Sequence, residues 1–317
     1  MKRFLKNLSI LALLVFPLLY ILNYMTDKGM HKSGMERFAE WNDIYSSRIN
    51  ADVLIMGSSK AKMMLSPKIL DSTLHINSYN LGIDGWQFTM QYARFRIYLQ
   101  HNKKPAYIIQ AIDFPFFEDR ADLFEYDQFI PYLSDSIIRN VTSQYTGRFT
   151  FPELYIPFFK YNHHLTLIQE GLKCFFKKQN ATPMSTKGYQ PWNWVWDNSF
   201  NNFKRSNPNG IKVAIQKKMI DEFTEYLDYC KANGIQVIFE VSPVYYEVIP
   251  LEENLNEVHQ IFNRLSLKYH IPILDYSTDT LSLHQKYFFN SQHLNKTGAE
   301  IYNRTLARGL KEIIGNK

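Results

Sequence analysis

Residues 51–65 read ADVLIMGSSKAKMML, a continuous apolar run that stops at Gly57-Ser58-Ser59 and passes into a helix-forming stretch. An uncharged run rich in Val, Leu and Ile, ended by Gly and small hydroxyl residues, predicts a fully buried parallel strand turning into a helix. Open α/β sheets place their chemistry at such junctions, at the carboxyl ends of the strands. A serine on that turn presents its Oγ at the sheet edge, and the amides that open the following helix can stabilise an oxyanion. Ser59 is therefore the candidate nucleophile. The plainer alternative is that Ser58 or Ser59 only caps the helix, so the decision rests on what lies elsewhere in the chain.

Working outward, Ser66-Pro67 has the signature of a helix start, with Ser as N-cap and Pro at the first helical position, and predicts a short helix to about Leu74. His75 to Asn80 reads as a second strand ending in the glycine-containing break Leu81 to Gly85. A helix from Trp86 to Gln100 leads to a third strand, Ala106 to Ile112, which Asp113-Phe114-Pro115 ends. This alternation predicts a parallel sheet with helices on its faces, an α/β fold. From about 116 to 210 the alternation is lost. FTFPELYIPFFKYNHH and GYQPWNWVWDNSFNNF are typical of this aromatic, proline-punctuated stretch, which reads as a largely helical and irregular insertion packed over the sheet. Trp192, Trp194 and Trp196 fit either a core or a stacking platform for a sugar ring, and His163-His164 fits a structural pair better than a metal site. Alternation then resumes. A helical stretch from Ile211 to Ala232 stops at Asn233-Gly234, the strand Ile235 to Val241 follows, and Ser242-Pro243-Val244-Tyr245-Tyr246 forms the loop at its carboxyl edge. A helix from about Leu251 to Lys268, a strand from Ile271 to Leu274 and an extended segment from Tyr287 to Leu294 complete the pattern. Asn295 caps a last helix to about Ile314.

At 317 residues the chain has room for a substantial core, as one domain with an insertion or as two domains. The formal charge of +6 is dispersed, with nothing longer than the pairs Lys103-Lys104, Lys177-Lys178 and Lys217-Lys218. Phosphate recognition needs clustered cations, so nucleic acid is not an expected partner. Cys174 and Cys230 lie far apart without metal-ligand spacing and could pair only in an oxidising compartment. At the amino terminus, Lys2, Arg3 and Lys6 precede residues 7–26, which carry no charge until Asp27. That length matches the ~20 apolar residues of a membrane-spanning helix. The segment ends in Leu22-Asn23-Tyr24-Met25 without a small-residue cleavage pattern, which favours an uncleaved signal anchor over a signal peptide. The expected organisation is a cytoplasmic tail at 1–6, a transmembrane anchor at 7–26, a polar, partly helical stalk at 27–50 and a domain at 51–317 with the insertion at about 116–210. Cations before the span and mixed charge after it orient the amino terminus to the cytoplasm and the bulk of the chain to the extracytoplasmic side.

A serine hydroxyl needs a base, and imidazole is the usual one. His293 stands just before the last helix, where the loop can return to the carboxyl edge beside Ser59. Gly82 at the end of the second strand offers an amide for developing negative charge, since no side chain intervenes. These residues in this order resemble the SGNH, or GDSL-like, hydrolase superfamily. Gly57 to Ser59 stands for that family's Gly-Asp-Ser, Asn80-Leu81-Gly82 matches its second block, and NSQHLN at Asn290 to Asn295 matches its final Asp-x-x-His block. An anchor joined to a Gly-Ser-Ser version also resembles the membrane-anchored subgroup that includes the teichoic-acid D-alanylation protein and polysaccharide O-acetyl-modifying relatives. The resemblance covers most of the chain from about residue 50, excluding the insertion. It implies a three-layer α/β/α, flavodoxin-like parallel sheet and acyl-ester chemistry without metal or other cofactor. It further implies a Ser59 nucleophile, a His293 base and an oxyanion hole from the Ser59 and Gly82 amides, with Ser242 and Tyr245 at the substrate edge.

Two positions depart from that pattern. Asn290 stands where the family has the triad acid; Asn orients an imidazole but carries no charge for the imidazolium, and in serine proteases the Asp-to-Asn change costs ~10⁴ in turnover. The third block, normally Gly-x-Asn-Asp, is here Ala111-Ile112-Asp113-Phe114. An ionised Asp113 in the Asn position would repel an oxyanion, so it has to be protonated, turned away or beside the hole. Two functions follow as expectations. One is an anchored serine esterase or O-acyltransferase on an acylated cell-envelope or secreted polysaccharide. The other is a catalytically degraded fold that binds a glycan or a membrane-bound acyltransferase partner.

Overall fold

The structure is a computed structural model and describes residues 1–177, 186–197 and 199–315. Lys178, half of one cation pair, and residues 178–185 and 198 of the expected insertion lie outside the described residues. In chain order the first elements are α1 (Lys2–Met30), α2 (Glu36–Tyr45), β1 (Val53–Met56), α3 (Ser59–Met64), α4 (Pro67–Leu74), β2 (Ser78–Asn80), α5 (Phe88–His101) and β3 (Tyr107–Ala111). Four helices follow, α6 (Ser136–Thr142), α7 (Phe151–Tyr155), α8 (Leu165–Phe176) and α9 (Ser199–Ser206). The chain ends with α10 (Lys217–Ala232), β4 (Gln236–Val241), α11 (Leu255–Tyr269), β5 (Ile273–Asp275), β6 (Phe288–Asn290), β7 (His293–Leu294) and α12 (Lys296–Ile314). By packing, it divides into one unit of Met1–Tyr45 with Ala121–Met184 and another of Ser46–Arg120 with Ser185–Lys317.

The second unit is the α/β fold expected from the alternation. Its main sheet has five parallel strands in the order β2-β1-β3-β4-β5, with Ile55 level with Asn80 on one side and Ile109 on the other, and β6 and β7 form a separate ribbon. β1, β3 and most of β4 are buried, which is why they read as apolar runs rather than alternating ones, whereas β2 is a buried edge strand of Ser78, Tyr79 and Asn80. Val53, Ile55, Tyr107, Ile109 and Ile238 face a layer of Leu65, Leu70, Tyr302, Leu306 and Leu310 from the α3–α4 region and α12. The opposite layer is aromatic: Phe88 and Phe95 of α5 and Phe223 and Tyr226 of α10 make edge-on contacts, and Phe223 and Phe262 of α11 pack on Phe239 of β4. The chain leaves β1 toward β2 and later crosses to β3 on β1's other side, so the carboxyl end of β1 is the switch point where open sheets form a crevice.

The first unit is built around α1 and α2. The expected stalk is partly helical and packed: α2 buries Phe38, Trp41 and Ile44, and Asn42 donates to the carbonyls of Met30 and Ser33 at 2.8 Å each. Trp41 in turn reaches Gln128 Oε1 at 3.2 Å, and Tyr45 stacks on Tyr132. α1 is long and apolar enough to cross a membrane, with its hydrophobic stretch uncovered. Residues 186–197 and 199–210, the end of the expected insertion, belong to the second unit. Lys187 O accepts the Asn80 amide at 2.9 Å, Gln190 N–H donates to Lys62 O at 2.9 Å, and Trp192 O accepts Lys296 N–H at 2.8 Å.

Candidate active site

At the carboxyl end of β1 the chain must turn sharply into α3 while passing against β3. Gly57 makes this possible: its φ is +154°, and a Cβ there would sit 2.8 Å from both Ala111 Cβ and Ala61 Cβ. Ser59 is the first residue of α3, and no side chain caps the helix. The Ser59 and Lys60 amides, in the first turn, have no intrahelical carbonyl to bond. Ser58 does not cap either; its Oγ donates to Asp113 Oδ2 at 2.7 Å, which holds Asp113 beside the turn.

His293 arrives from the other end of the chain on the antiparallel pair β6–β7. Three backbone bonds hold this ribbon: Asn295 N–H to Tyr287 O at 2.8 Å, Lys296 N–H to Trp192 O at 2.8 Å, and Tyr245 N–H to Ser291 O at 2.9 Å. Asn295 Oδ1 then caps α12 through Gly298 N–H at 3.0 Å, as its position in the sequence suggests. The imidazole lies nearly parallel to the Phe289 ring at 14° and 5.3 Å. Its Nε2 is 2.8 Å from Ser59 Oγ and its Nδ1 is 3.0 Å from Asn290 Oδ1. Asn290 Oδ1 also accepts the backbone amides of Gln292 and His293, both at 2.9 Å. Those two groups can only donate, so the atom facing Nδ1 is the carbonyl oxygen and Nδ1 carries the proton. Nε2 is then left unprotonated toward the serine hydroxyl, the tautomer a general base requires. Burial, and secondarily the charge of Lys60, push the imidazole pKa from 6.5 down to about 3. With a neutral Asn in contact, no carboxylate offsets that depression.

Ser59, Lys60, Asp113, Asn290 and His293 line one cleft of about 480 Å³, with Glu252 and an apolar wall including Phe200, Val213 and Val248. Other expected site residues lie elsewhere. The Gly82 amide donates to Asn80 Oδ1 at 2.8 Å, and its neighbours Leu81 and Ile83 donate to Ile55 O at 2.7 Å and Gly57 O at 3.0 Å. A Cβ on Gly82 would meet Lys62 N at 2.5 Å, so this glycine permits close approach to α3 rather than to a substrate. Asn80 also donates to Ala61 O and Leu65 O at 2.7 and 2.8 Å, binding β2 to α3. Ser242 lines a neighbouring cavity of about 200 Å³ and donates to Glu240 Oε1 at 2.6 Å. Tyr245 packs against Trp196, Phe200 and Phe288, and its hydroxyl meets Glu247 Oε1 at 3.1 Å.

Sequence reasoning missed Lys60 and Glu240. The Lys60 side chain is 7% exposed, borders both cavities, and has no carboxylate within ion-pair distance among the described residues. Its charge acts on Glu240, Glu252 and His293. Glu240 is fully buried in β4, where it takes hydroxyl bonds from Ser242 and Tyr302, and desolvation raises its pKa to about 7. A carboxylate inside an apolar strand such as VIFEV was the available signal. Among the tryptophans, Trp192 and Trp196 join core clusters, whereas Trp194 is 57% exposed and meets the Phe289 ring edge-on at 5.7 Å. His164 bonds the Tyr126 hydroxyl at 2.8 Å, and the described residues contain no metal-binding cluster of His, Cys, Asp or Glu. Cys174 and Cys230 are buried and not joined in a disulfide, and the Cys174 thiol donates to Glu170 Oε1 at 3.2 Å.

No family model and no curated protein sequence matches the chain. Among solved structures it is similar to a protein of Bacteroides fragilis provisionally described as an acylhydrolase, with 14% identity, TM-score 0.36, and coverage of 81% of this chain and 86% of that one. It is also similar to a protein of Streptococcus pneumonia provisionally described as a platelet activating factor, with 12% identity, TM-score 0.41 and coverage of 86% and 90%. A carbohydrate acetylesterase family member of Sinorhizobium meliloti matches with 8% identity, TM-score 0.36 and coverage of 83% and 98%. At such low identities and TM-scores these similarities assign neither a family nor an activity to the chain.

Proposed function

We propose that the chain is an SGNH-like serine enzyme, anchored in a membrane by α1, that cleaves or transfers an acyl ester on a cell-envelope or secreted polysaccharide. The reading rests on one observation above the others: a serine hydroxyl 2.8 Å from an imidazole nitrogen whose tautomer a second residue has fixed for proton abstraction. In the reaction, His293 Nε2 takes the Ser59 proton as Oγ attacks the ester carbonyl. The tetrahedral oxyanion would lie toward the first-turn amides of α3 and the Lys60 ammonium, the groups on that side not committed to the fold. Nε2 then returns the proton to the departing alkoxide, leaving acyl-Ser59. Water completes hydrolysis, and a sugar hydroxyl in its place completes transfer. Lys60 opposes the imidazolium but favours the oxyanion, and the two charges arise together. Trp194, exposed beside Phe289, suits the apolar face of a sugar ring.

The test is labelling of Ser59 by a fluorophosphonate probe together with acetate release from an acetylated glycan, both lost in Ser59→Ala. The competing reading, a non-catalytic glycan-binding or acyltransferase-partner protein, draws on the uncharged Asn290 and the committed Gly82 amide. Failure to label, with retained glycan binding, would favour it.

A further inference from the structure

Outside the cleft, the first unit carries an apolar surface that its own fold leaves uncovered. Phe151 is 71% exposed, Tyr155 62%, and Leu165 65%, and Ile156 and Phe159 are also exposed. They fall on α7, on the turn after it and on the first residue of α8. This surface is joined to the lower part of α1 by specific bonds. Asn23 Oδ1 accepts the Phe158 amide at 3.2 Å, and Asp27 takes the Lys160 ammonium at 2.9 Å and the Tyr161 hydroxyl. Farther along, Gly171 of α8 lies against Thr26 and Gly29 so closely that neither glycine has room for a Cβ. Beyond that crossing, Lys32 stands 5.8 Å from the Phe175 ring. Within α8 the contact moves from Thr26 and Gly29 at Gly171 to Lys32 at Phe175, so α8 runs beside α1 in the same direction and its start is the end nearer the apolar span.

Those bonds also fix a level. Below Asn23, the apolar residues of α1 from Phe4 to Ile21 are largely exposed. Tyr20 and Tyr24 are exposed where that stretch ends, and Lys28 sits 5.9 Å from the Tyr24 ring. Aromatic rings followed by a cation mark the headgroup level of a spanning helix. The chain at 151–165 is tied to Asn23 and Asp27, at the same level. An apolar patch at that depth, continuous with a lipid-facing helix, meets the headgroup and acyl boundary rather than bulk water.

We propose that residues 151–165 form a membrane-embedded collar around the exit of α1, with Phe151, Tyr155, Phe159 and Leu165 inserted among phospholipid headgroups and upper acyl chains. The proposal rests on α1 spanning the bilayer. The Asp27–Lys160 pair then lies just above the inserted side chains, each charge matched by the other at the edge of the low-dielectric region.

The test places single nitroxide labels on the full-length chain reconstituted in phosphatidylcholine vesicles containing phosphatidylglycerol, at Tyr155→Cys, Phe159→Cys and Leu165→Cys. Leu13→Cys on α1 and Phe176→Cys at the far end of α8 are the references, the latter about 16 Å along the helix from Leu165 by helical rise. The unsubstituted chain, whose Cys174 and Cys230 are buried, gives the labelling background. Collision with lipid-soluble oxygen should exceed collision with a water-soluble nickel chelate several-fold at 155, 159 and 165, as at 13, and fall below it at 176. Nickel accessibility at the three collar sites equal to that at 176 would overturn the collar while leaving the span intact. Shielding from both reagents would mean a protein occupant, such as a second copy, and would overturn it too. Nickel accessibility at 13 would remove the span and the collar with it.

Discussion

Around His293 in the cleft the polar contacts serve the imidazole, whereas around Gly82, outside the cleft lining, they serve the fold. Asn290 Oδ1 gathers two backbone amides and Nδ1 and leaves Nε2 free to meet Ser59. At the end of β2, the amides of Leu81, Gly82 and Ile83 are all bonded within the β1–β2 edge, and Asp113 is held by Ser58. What remains toward the substrate on that side is the start of α3 and the Lys60 charge. The difference teaches that orientation and charge are divided between the walls. The base is oriented by a neutral amide, and Lys60, among the described residues the lysine that borders both cavities, is the charge proposed to meet the oxyanion.

The largest effect tests whether the division is catalytic at all. Ser59→Ala and His293→Ala should each lower ester cleavage by ~10³ or more, measured as acetate release, and both should abolish fluorophosphonate labelling at residue 59. Retained turnover in Ser59→Ala would place the chemistry outside this pair. The next effect separates the two candidates for oxyanion stabilisation. Lys60→Met should lower kcat by ~10² with KM little changed, because the ammonium is asked to act on the transition state. Gly82→Ala should instead show its cost in melting temperature, on the order of 1–3 kcal/mol, because the new methyl meets the Lys62 amide at 2.5 Å. A fully stable Gly82→Ala with a large kcat loss would reverse this comparison and restore Gly82 as the donor.

A smaller effect addresses the neutral wall. Asn290→Asp puts a charge beside Nδ1 and should raise turnover by about 10-fold through stabilisation of the imidazolium. It also moves the acid limb of the rate profile. In the native site burial holds the imidazole pKa near 3, so the base stays unprotonated through weakly acidic pH. A carboxylate favours the protonated ring, so the limb of kcat/KM should shift to higher pH in the variant. A limb that does not move would mean that residue 290 is not electrostatically coupled to the base.

The two walls also differed in how readable they were. β1, the turn at Ser59 and the Asn295 cap announce themselves through an apolar run, a glycine and a Ser/Asn-type cap, all local signals. The meeting of Ser59 with His293 was inferable only because parallel-sheet topology brings strand ends to one edge. Gly82 misled because an Asn two residues upstream can bond the chain locally, a competing use that Asn80-Leu81-Gly82 spells out only in retrospect. Lys60 drew no reading, since nothing local says that the start of α3 is covered. The first unit was opaque for a different reason: its core joins Trp41 of α2 to Gln128 and Tyr132, from a segment beyond the first three strands. No window of sequence contains both halves.

The smallest effect concerns Glu240, set between Ser242 and Tyr302, with Lys60 lowering its pKa and Asp113 raising it. Desolvation dominates, and the pKa rises from 4.5 to about 7. The folded protein therefore holds this proton over a range in which the unfolded chain has released it. Stability from this group is full below the unfolded value and is lost as pH rises from 4.5 to about 7, after which the contribution is flat. At ~1.4 kcal/mol per unit the loss is on the order of 2 kcal/mol once relaxation around the carboxylate is allowed for. Glu240→Gln keeps acceptor oxygen for the two hydroxyls and never ionises, so its melting temperature should change less between about pH 5 and about pH 8 than the parent's. Equal slopes would show that Lys60 compensates the carboxylate at Glu240, leaving less of its charge for an oxyanion in the cleft and weakening the contrast between the two walls.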